Sequence, residues 1–488
     1  MQILLSGVVD LDRDSAEPLF LQLYRALREA ILDGTLGPGD AIPPSRTASA
    51  DLGVSRRTVL AALDQLSGEG FLESRQGSGT RVARWQRQIE TGGRPAIAGG
   101  GQATIRPASR WEALWPQGRT EDAHVLPRAL RPGLPDLRLF PKEIWGRLLR
   151  RASTRLDARE RGYAFMSGHP ALKEAIARHL AERRLVHVEP ERLVIVSSAQ
   201  SALDLCARLL LEPSDRVWME EPGYRGARAA FLFAGAELVP VPTDENGLDF
   251  ERFTGGPPPK IIYVTPSHQY PMGCMLSLER RHALLDYAAT VGAAIIEDDY
   301  DSEFQFEGRP IAAMQGLRPE APVIYLGTLS KTIAPALRLG YLGVPASICD
   351  GLVRLQNNTG QATATDIQVA AALFLSEGHY AAHLRRSQRI YTGRRDRLIG
   401  ALEHHLGGMF TVSRPAGGVQ LAAQLRTNAS DVTVAGRLLE AGVETRALSD
   451  LCYGPACRNG LVLGFAAWSE SEIEQAVQMM ARCLKGAC

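Results

Sequence analysis

Thr328-Leu329-Ser330-Lys331-Thr332-Ile333-Ala334-Pro335-Ala336-Leu337-Arg338-Leu339-Gly340-Tyr341 organises the larger part of this 488-residue chain. It follows Val323–Leu326, a short apolar run that reads as a strand. A lysine between small hydroxyl residues, with an arginine seven positions on, suits a cofactor that carries both an aldehyde and a phosphate. The Lys331 amine can form a Schiff base with the aldehyde while Ser330 and Arg338 hold the phosphate. A Ser-Lys-Thr tripeptide alone is usually a surface turn, so its companions decide.

Upstream, Ile295-Ile296-Glu297-Asp298-Asp299-Tyr300-Asp301 ends an apolar strand in a carboxylate cluster. A carboxylate at that end of a strand faces the crevice where open α/β sheets bind ligands. Asp298 there can pair with a protonated pyridine nitrogen, and Tyr300 can bond a ring hydroxyl oxygen. A metal site is the rival reading of the three aspartates, but further ligands are lacking nearby. Ser198-Ala199-Gln200 lies between a strand and a helix, where backbone amides can cradle phosphate. Pro222-Gly223-Tyr224 can set an aromatic ring over a cofactor face, although either feature alone is more often a plain loop. Short β-rich runs alternate with helical stretches, namely Leu193–Val196 then 200–211, Ile261–Thr265 then 279–290, and Ala294–Glu297. This rhythm predicts an α/β domain with a mainly parallel sheet over residues 131–488.

Residues 84–130 are rich in Gly, Pro, Arg and Gln without periodicity and read as a linker. Before it, residues 12–83 carry a different pattern. Leu23, Leu27, Ala30 and Ile31 share one face of a helix that starts at Pro18 and stops at Gly34. Ser45–Leu52 is a short helix closed by Gly53, and Ser55 can cap a second whose buried face is Val59, Ala62, Leu63 and Leu66. Such a helix-turn-helix presents the start of its second helix to the DNA major groove, here Ser55, Arg56, Arg57 and Thr58. Phe71–Val82 alternates about a glycine-rich tip, as a two-stranded wing does, with Arg75 and Arg81 flanking it. An isolated Ser-Arg-Arg is ordinarily a solvated helix start; the whole array is what changes the reading.

The totals set outer limits. An apolar share of 45% and a charged share of 22% fit a globular protein, and the length favours at least two domains. Formal net charge is only +1, so any nucleic-acid module is a local basic feature in a neutral average. The seven cysteines have no ligand-pair rhythm and read as reduced thiols, with a metal or redox role for Cys452 and Cys457 the minor alternative. Asp10, Asp12 and Asp14 replace the basic start of a secretion signal, and no apolar run approaches about 18 residues, so a cytoplasmic location without membrane contact is expected.

The N-terminal part resembles the GntR family of regulators in Ile42-Pro43-Pro44-Ser45-Arg46, Leu52-Gly53-Val54-Ser55-Arg56-Arg57-Thr58-Val59 and Gly77-Ser78-Gly79-Thr80, with Pro44 and Ala48-Ser49 departing from the usual pattern. The resemblance implies an α+β winged helix-turn-helix whose DNA contacts fall on Arg46, Ser55, Arg56, Thr58 and Gly79. The large part resembles fold-type I pyridoxal-phosphate enzymes of aminotransferase fold, and the combination resembles the MocR/GabR subfamily of regulators, including Leu139-Phe140-Pro141, His268-Gln269-Tyr270-Pro271 and His383-Leu384-Arg385-Arg386. This implies pyridoxal 5'-phosphate on Lys331, with Asp298 on the pyridine nitrogen, Tyr300 on the ring oxygen and Tyr224 stacked on the ring. Ser198, Ala199, Gln200, Ser330 and Arg338 would form the phosphate cup, and Tyr163 would reach the phosphate of a partner subunit, implying a homodimer.

Two departures stand out. Tyr270 occupies the usual asparagine position, and Val462 occupies the position of the arginine that grips a substrate carboxylate, a fork of donors that valine cannot supply. The expected function is an operator-binding regulator that senses an amine, or the cofactor itself, with at most slow transamination. The alternatives are a working aminotransferase with an attached DNA module, and a regulator with a vestigial pocket. Arg225 and Arg228 could substitute for the missing arginine.

Overall fold

The computed structural model describes residues 4–75, 79–84, 127–308, 312–454 and 458–485. The chain divides into two compact units, Met1–Ile105 and Arg106–Cys488. The wing tip at 76–78 and most of the stretch read as a linker lie outside the described residues.

In the first unit α1 (Leu19–Leu32), α2 (Ser45–Leu52) and α3 (Arg56–Gly68) enclose one core, with Leu23, Leu27, Ala48, Val59, Ala62 and Leu66 all fully buried. Burying an aliphatic side chain of this size contributes about 1.5–3 kcal/mol, so this small stripe carries much of the unit's cohesion. Gly53 ends α2 in the left-handed conformation, φ 62°, which a side chain would disfavour and which permits the sharp entry into α3. The wing is formed by β2 (Leu72–Arg75) and β3 (Gly79–Val82), paired antiparallel with Leu72 opposite Val82. A third strand not foreseen from the sequence, β1 (Ala41–Ile42), pairs with β3 through Ala41 and Arg81. At two residues it is too short to show any alternation.

The second unit is built on an eight-stranded sheet. Its strands are β4 (Leu193–Val196), β5 (Arg216–Glu221), β6 (Glu237–Asp244), β7 (Gly247–Leu248), β8 (Ile261–Val264), β9 (Ala294–Asp299), β10 (Val323–Thr328) and β11 (Gly340–Gly343), in the order β4-β11-β10-β9-β8-β5-β6-β7. The central pairs are parallel, and β4, β11 and β7 join antiparallel at the flanks. β4, β8 and β10 are buried along their whole length, which is why they read as continuous apolar runs rather than alternating ones.

A second sheet, β12 (Phe410–Val412), β13 (Gln420–Leu425), β14 (Arg446–Ala447) and β15 (Gly460–Gly464), is antiparallel in the order β12-β13-β15-β14. Residues 127–130, the tail of the stretch read as a linker, belong with it. Ala129 bridges Val443, Leu130 is fully buried, and the Gly464 N–H donates to the Leu130 carbonyl.

Candidate functional site

The C-terminal ends of β5, β8, β9 and β10 lie side by side, because those strands run parallel. Asp298 is the penultimate residue of β9, and Lys331 lies three residues after β10 ends. The Tyr263 hydroxyl on β8 donates to Asp298 Oδ2 at 2.6 Å. Oδ1 of the same carboxylate is buried without a hydrogen-bond partner. A buried acceptor left unmet costs about 1–3 kcal/mol, so Oδ1 has room in its bonding for a donor from outside the chain. Burial pushes the Asp298 carboxyl up to about 7, with the Tyr263 hydrogen bond and nearby Lys331 opposing and Asp299 and Asp301 adding to the rise. Burial likewise pushes neighbouring Glu220 to about 7 against its hydrogen bond from Thr265 Oγ1.

The carboxylate cluster resolves into separate tasks. Asp299 accepts from Arg184 Nε at 2.8 Å and from the Tyr325 hydroxyl at 2.5 Å, both deep in the core. Burial raises its carboxyl most strongly, but Arg184, the hydrogen bonds from Ser302 and Tyr325 and nearby His268 together outweigh that and hold it below the usual range. Removing one partner of such a buried pair costs about 3–5 kcal/mol, so Asp299 is committed to structure. Asp301 pairs with His268 Nδ1 at 2.8 Å. Among the described residues no group of three or more His, Cys, Asp or Glu side chains is placed to hold a metal.

Lys331 Nζ donates to the Gly133 carbonyl at 2.6 Å. Tyr224, Tyr270 and Tyr300 form an aromatic row, edge to face, with Tyr270 5.8 Å from Tyr224 and 6.0 Å from Tyr300 between ring centres. Burial raises the Tyr300 hydroxyl well above its ordinary value, so it is a donor at neutral pH. Gln200 Nε2 donates to the Gly226 carbonyl, and a side chain at Gly226 would collide with both Gln200 and the Tyr224 ring. Ser198 caps the helix Ala199–Leu210, accepting from the Ser201 N–H at 3.0 Å. Ser330 follows β10, and its N–H bonds Thr328 Oγ1. Arg338 is exposed in a left-handed conformation, φ 51°, after the short turn Pro335–Leu337. Tyr163 stands apart, its side chain 88% exposed.

These residues fit pyridoxal phosphate: a lysine amine, a buried carboxylate with one unmet oxygen, a tyrosine row, and a capped helix start with serine and arginine nearby. Asp298→Asn separates the cost of this arrangement from its use. The native carboxyl binds its proton up to about pH 7 and the unfolded one only to about 3.8, so its contribution to stability is present at acid pH and lost as pH rises between those values. The melting temperature of cofactor-free Asp298→Asn, compared with the parent, should therefore rise between pH 5 and 8, while its cofactor affinity falls. Differential scanning fluorimetry at both pH values checks this, and a pH-independent difference contradicts it.

In the first unit Ser55 caps α3, its Oγ accepting from the Thr58 N–H at 3.1 Å. Arg46, Arg56 and Arg57 are exposed, and Arg56 Nε is held by Ser45 Oγ at 3.1 Å, so its direction is set by α2. Gly79, φ 77°, has nothing within 4 Å of where a side chain would begin, which leaves its backbone approachable.

Sequence reasoning missed Tyr263, the Gly133 carbonyl and Arg446. Each is joined to the site through sheet register or a distant loop, with no local motif. Of the two proposed substitutes for the missing arginine, Arg228 is buried, donates to the Cys452 carbonyl and lies over the Tyr453 ring. Cys452 itself is disulfide-bonded, which corrects the expectation of reduced thiols throughout; its partner is outside the described residues. The loop carrying it folds closely onto β5, with the Tyr453 and Gly454 N–H groups both donating to Glu221.

Residues 143–480 match the family described as aminotransferase class I and II, and residues 19–82 match the bacterial regulatory proteins of the gntR family. The chain is 39% identical to the probable rhizopine catabolism regulatory protein MocR of Rhizobium meliloti, over 96% of this chain and 94% of that one. It is 32% identical to the pyridoxine biosynthesis transcriptional regulator PdxR of Corynebacterium glutamicum, over 94% and 96% respectively. Among solved structures, an archaeal alanine:glyoxylate aminotransferase matches with a TM-score of 0.70 and 27% identity, covering 79% of this chain and 97% of that one.

Proposed function

The chain belongs to the MocR/GabR subfamily of GntR-type transcription regulators, and from that premise we propose that its aminotransferase-like unit binds pyridoxal phosphate to sense an amine. It is a helix-turn-helix regulator with an aminotransferase-like domain. The observation that carries the cofactor reading is the buried, unmet Oδ1 of Asp298, on the strand beside the one that leads to Lys331.

When bound, the cofactor supplies an electrophilic aldehyde carbon and a ring that takes up negative charge. Lys331 provides the amine that holds it, and Asp298 keeps a proton on its ring nitrogen. Tyr300 donates to the ring oxygen, and Tyr224 covers the ring face. Ser198, Ala199, Gln200, Ser330 and Arg338 receive the phosphate. The exposed Tyr163 supports a homodimer in which that ring completes the partner's phosphate site. Operator DNA is met by Arg46, Ser55, Arg56, Arg57, Thr58 and Gly79. The domain limits that go with this reading are 12–83, a linker from 84, and the large domain 131–488 extended at its start by residues 127–130, and the location is the cytoplasm. Among the described residues no helix is long and apolar enough to cross a membrane.

The test uses double-stranded DNA selected by the full-length protein from a random pool. Primary amines should change the affinity for that DNA about 5–150-fold, the usual range of coupling between sites, and only when the protein is loaded with cofactor. Unchanged DNA affinity, together with sustained amino transfer to an α-keto acid at about 1–1000 per second, would make the protein an enzyme instead.

A further inference from the structure

We propose that Arg446 replaces the absent arginine at Val462, so that the amine sensed by this protein carries a carboxylate; this rests on the cofactor reading above. Arg446 and Val462 are direct partners in the β14–β15 ladder. Directly opposed residues of an antiparallel pair project from the same face with Cβ atoms about 4.5–5.5 Å apart. The two positions therefore serve one side of the sheet. Val462 is completely buried in an apolar cluster with Met272, Ala422, Leu448 and Leu451, against which Tyr270 packs. That seat is closed to a cation.

One strand over, the half-buried Arg446 extends to the same Tyr270, its Nη1 donating to the hydroxyl oxygen at 3.2 Å. Tyr270 is the middle member of the aromatic row with Tyr224 and Tyr300. The guanidinium is thus attached to the cofactor site through a residue that is itself a departure from the aminotransferase pattern. The two departures make one compensating pair: the cation moves one strand outward, and a side chain longer than asparagine spans the gap to meet it.

The chemistry of the neighbourhood favours an anionic group on the ligand. An amine without a carboxylate would meet Arg446 as a like charge, whereas a carboxylate would meet it as an opposite one. A planar guanidinium is suited to a carboxylate, which it can engage with two parallel hydrogen bonds. Arg228, one of the two arginines that follow Tyr224, is held by the Cys452 carbonyl and the Tyr453 ring.

The experiment titrates full-length, cofactor-loaded protein with matched pairs, L-alanine against ethylamine, L-phenylalanine against phenethylamine and 4-aminobutyrate against propylamine. Cofactor absorbance and melting temperature are followed together. In the parent, at least one acid should half-saturate at a concentration ten or more times lower than its decarboxylated match. Arg446→Met should retain the cofactor band and lose that preference, and Arg446→Lys should keep part of it. A preference that persists in Arg446→Met, or none in any pair for the parent, overturns the proposal while leaving the cofactor reading intact. A parent protein that holds no cofactor at all would remove both. Should Arg446→Met fail to fold, the Lys variant decides: a preference equal to the parent's counts against a two-pronged grip, and a reduced one supports it.

Discussion

Lys331→Ala is expected to leave the purified protein colourless after dialysis, whereas the parent keeps a visible band that survives dialysis and is fixed by borohydride. The expectation follows from placement. Lys331 is the lysine whose charge bears on the buried Asp298 carboxyl, and its amine stands 2.6 Å from the Gly133 carbonyl. Alanine removes the amine proposed to hold an aldehyde at that point, but removes no core volume of note, since Lys331 is half-buried. Circular dichroism and DNA affinity without ligand should therefore stay close to the parent's, while the response of DNA affinity to amines disappears. A Lys331→Ala protein that still carries a reducible imine would place the cofactor on another lysine.

The second large effect concerns DNA. Arg56→Ala and Arg46→Ala should each weaken binding to the selected DNA by about 1–3 kcal/mol if the side chain reads a base edge. The cofactor band should not change. The two need not act alike. Arg56 is aimed by Ser45 on α2, so losing it removes a pre-set contact, and Ser45→Ala should reproduce part of the loss. Arg46 is exposed on the surface of α2. Equal loss on selected and random duplexes would assign an arginine to phosphate, and no loss from either would refute the docking of α3 in the major groove.

Much of this was legible in the sequence because the chemistry sits where local patterns are strongest. Ser55 announces itself as a cap, and the structure has it bonding Thr58. The apolar runs before Asp298 and Thr328 read as strands, and both are strands buried over nearly their whole length. What escaped depends on relations across distance. Tyr263 faces Asp298 because β8 and β9 run in parallel register, with Tyr263 opposite Ile296. The second sheet, with strands of two to six residues separated by long insertions, offers no sustained period. Val462 was read as the place of a missing cation, and its ladder partner Arg446 escaped because it lies sixteen residues earlier and is linked to it by strand pairing.

The clip formed by residues 127–133 joins two matters that are separate in most ligand-binding domains. This short length of backbone is the first described portion of the large unit along the chain from the DNA-binding module. It bridges to Val443 at Ala129, ties Arg131 to Glu444, and offers its Gly133 carbonyl to Lys331. Whatever engages the lysine amine competes with that carbonyl. A hydrogen bond to a charged donor is worth about 1.5–3 kcal/mol, the same order as the coupling that shifts a regulator between two states. Glu444 is two residues from Arg446, so acid and amine ends of one ligand would pull on the same strap from opposite sides. A ligand held at both ends would thus bear on this one length of backbone through Gly133 and through the strand that carries Glu444.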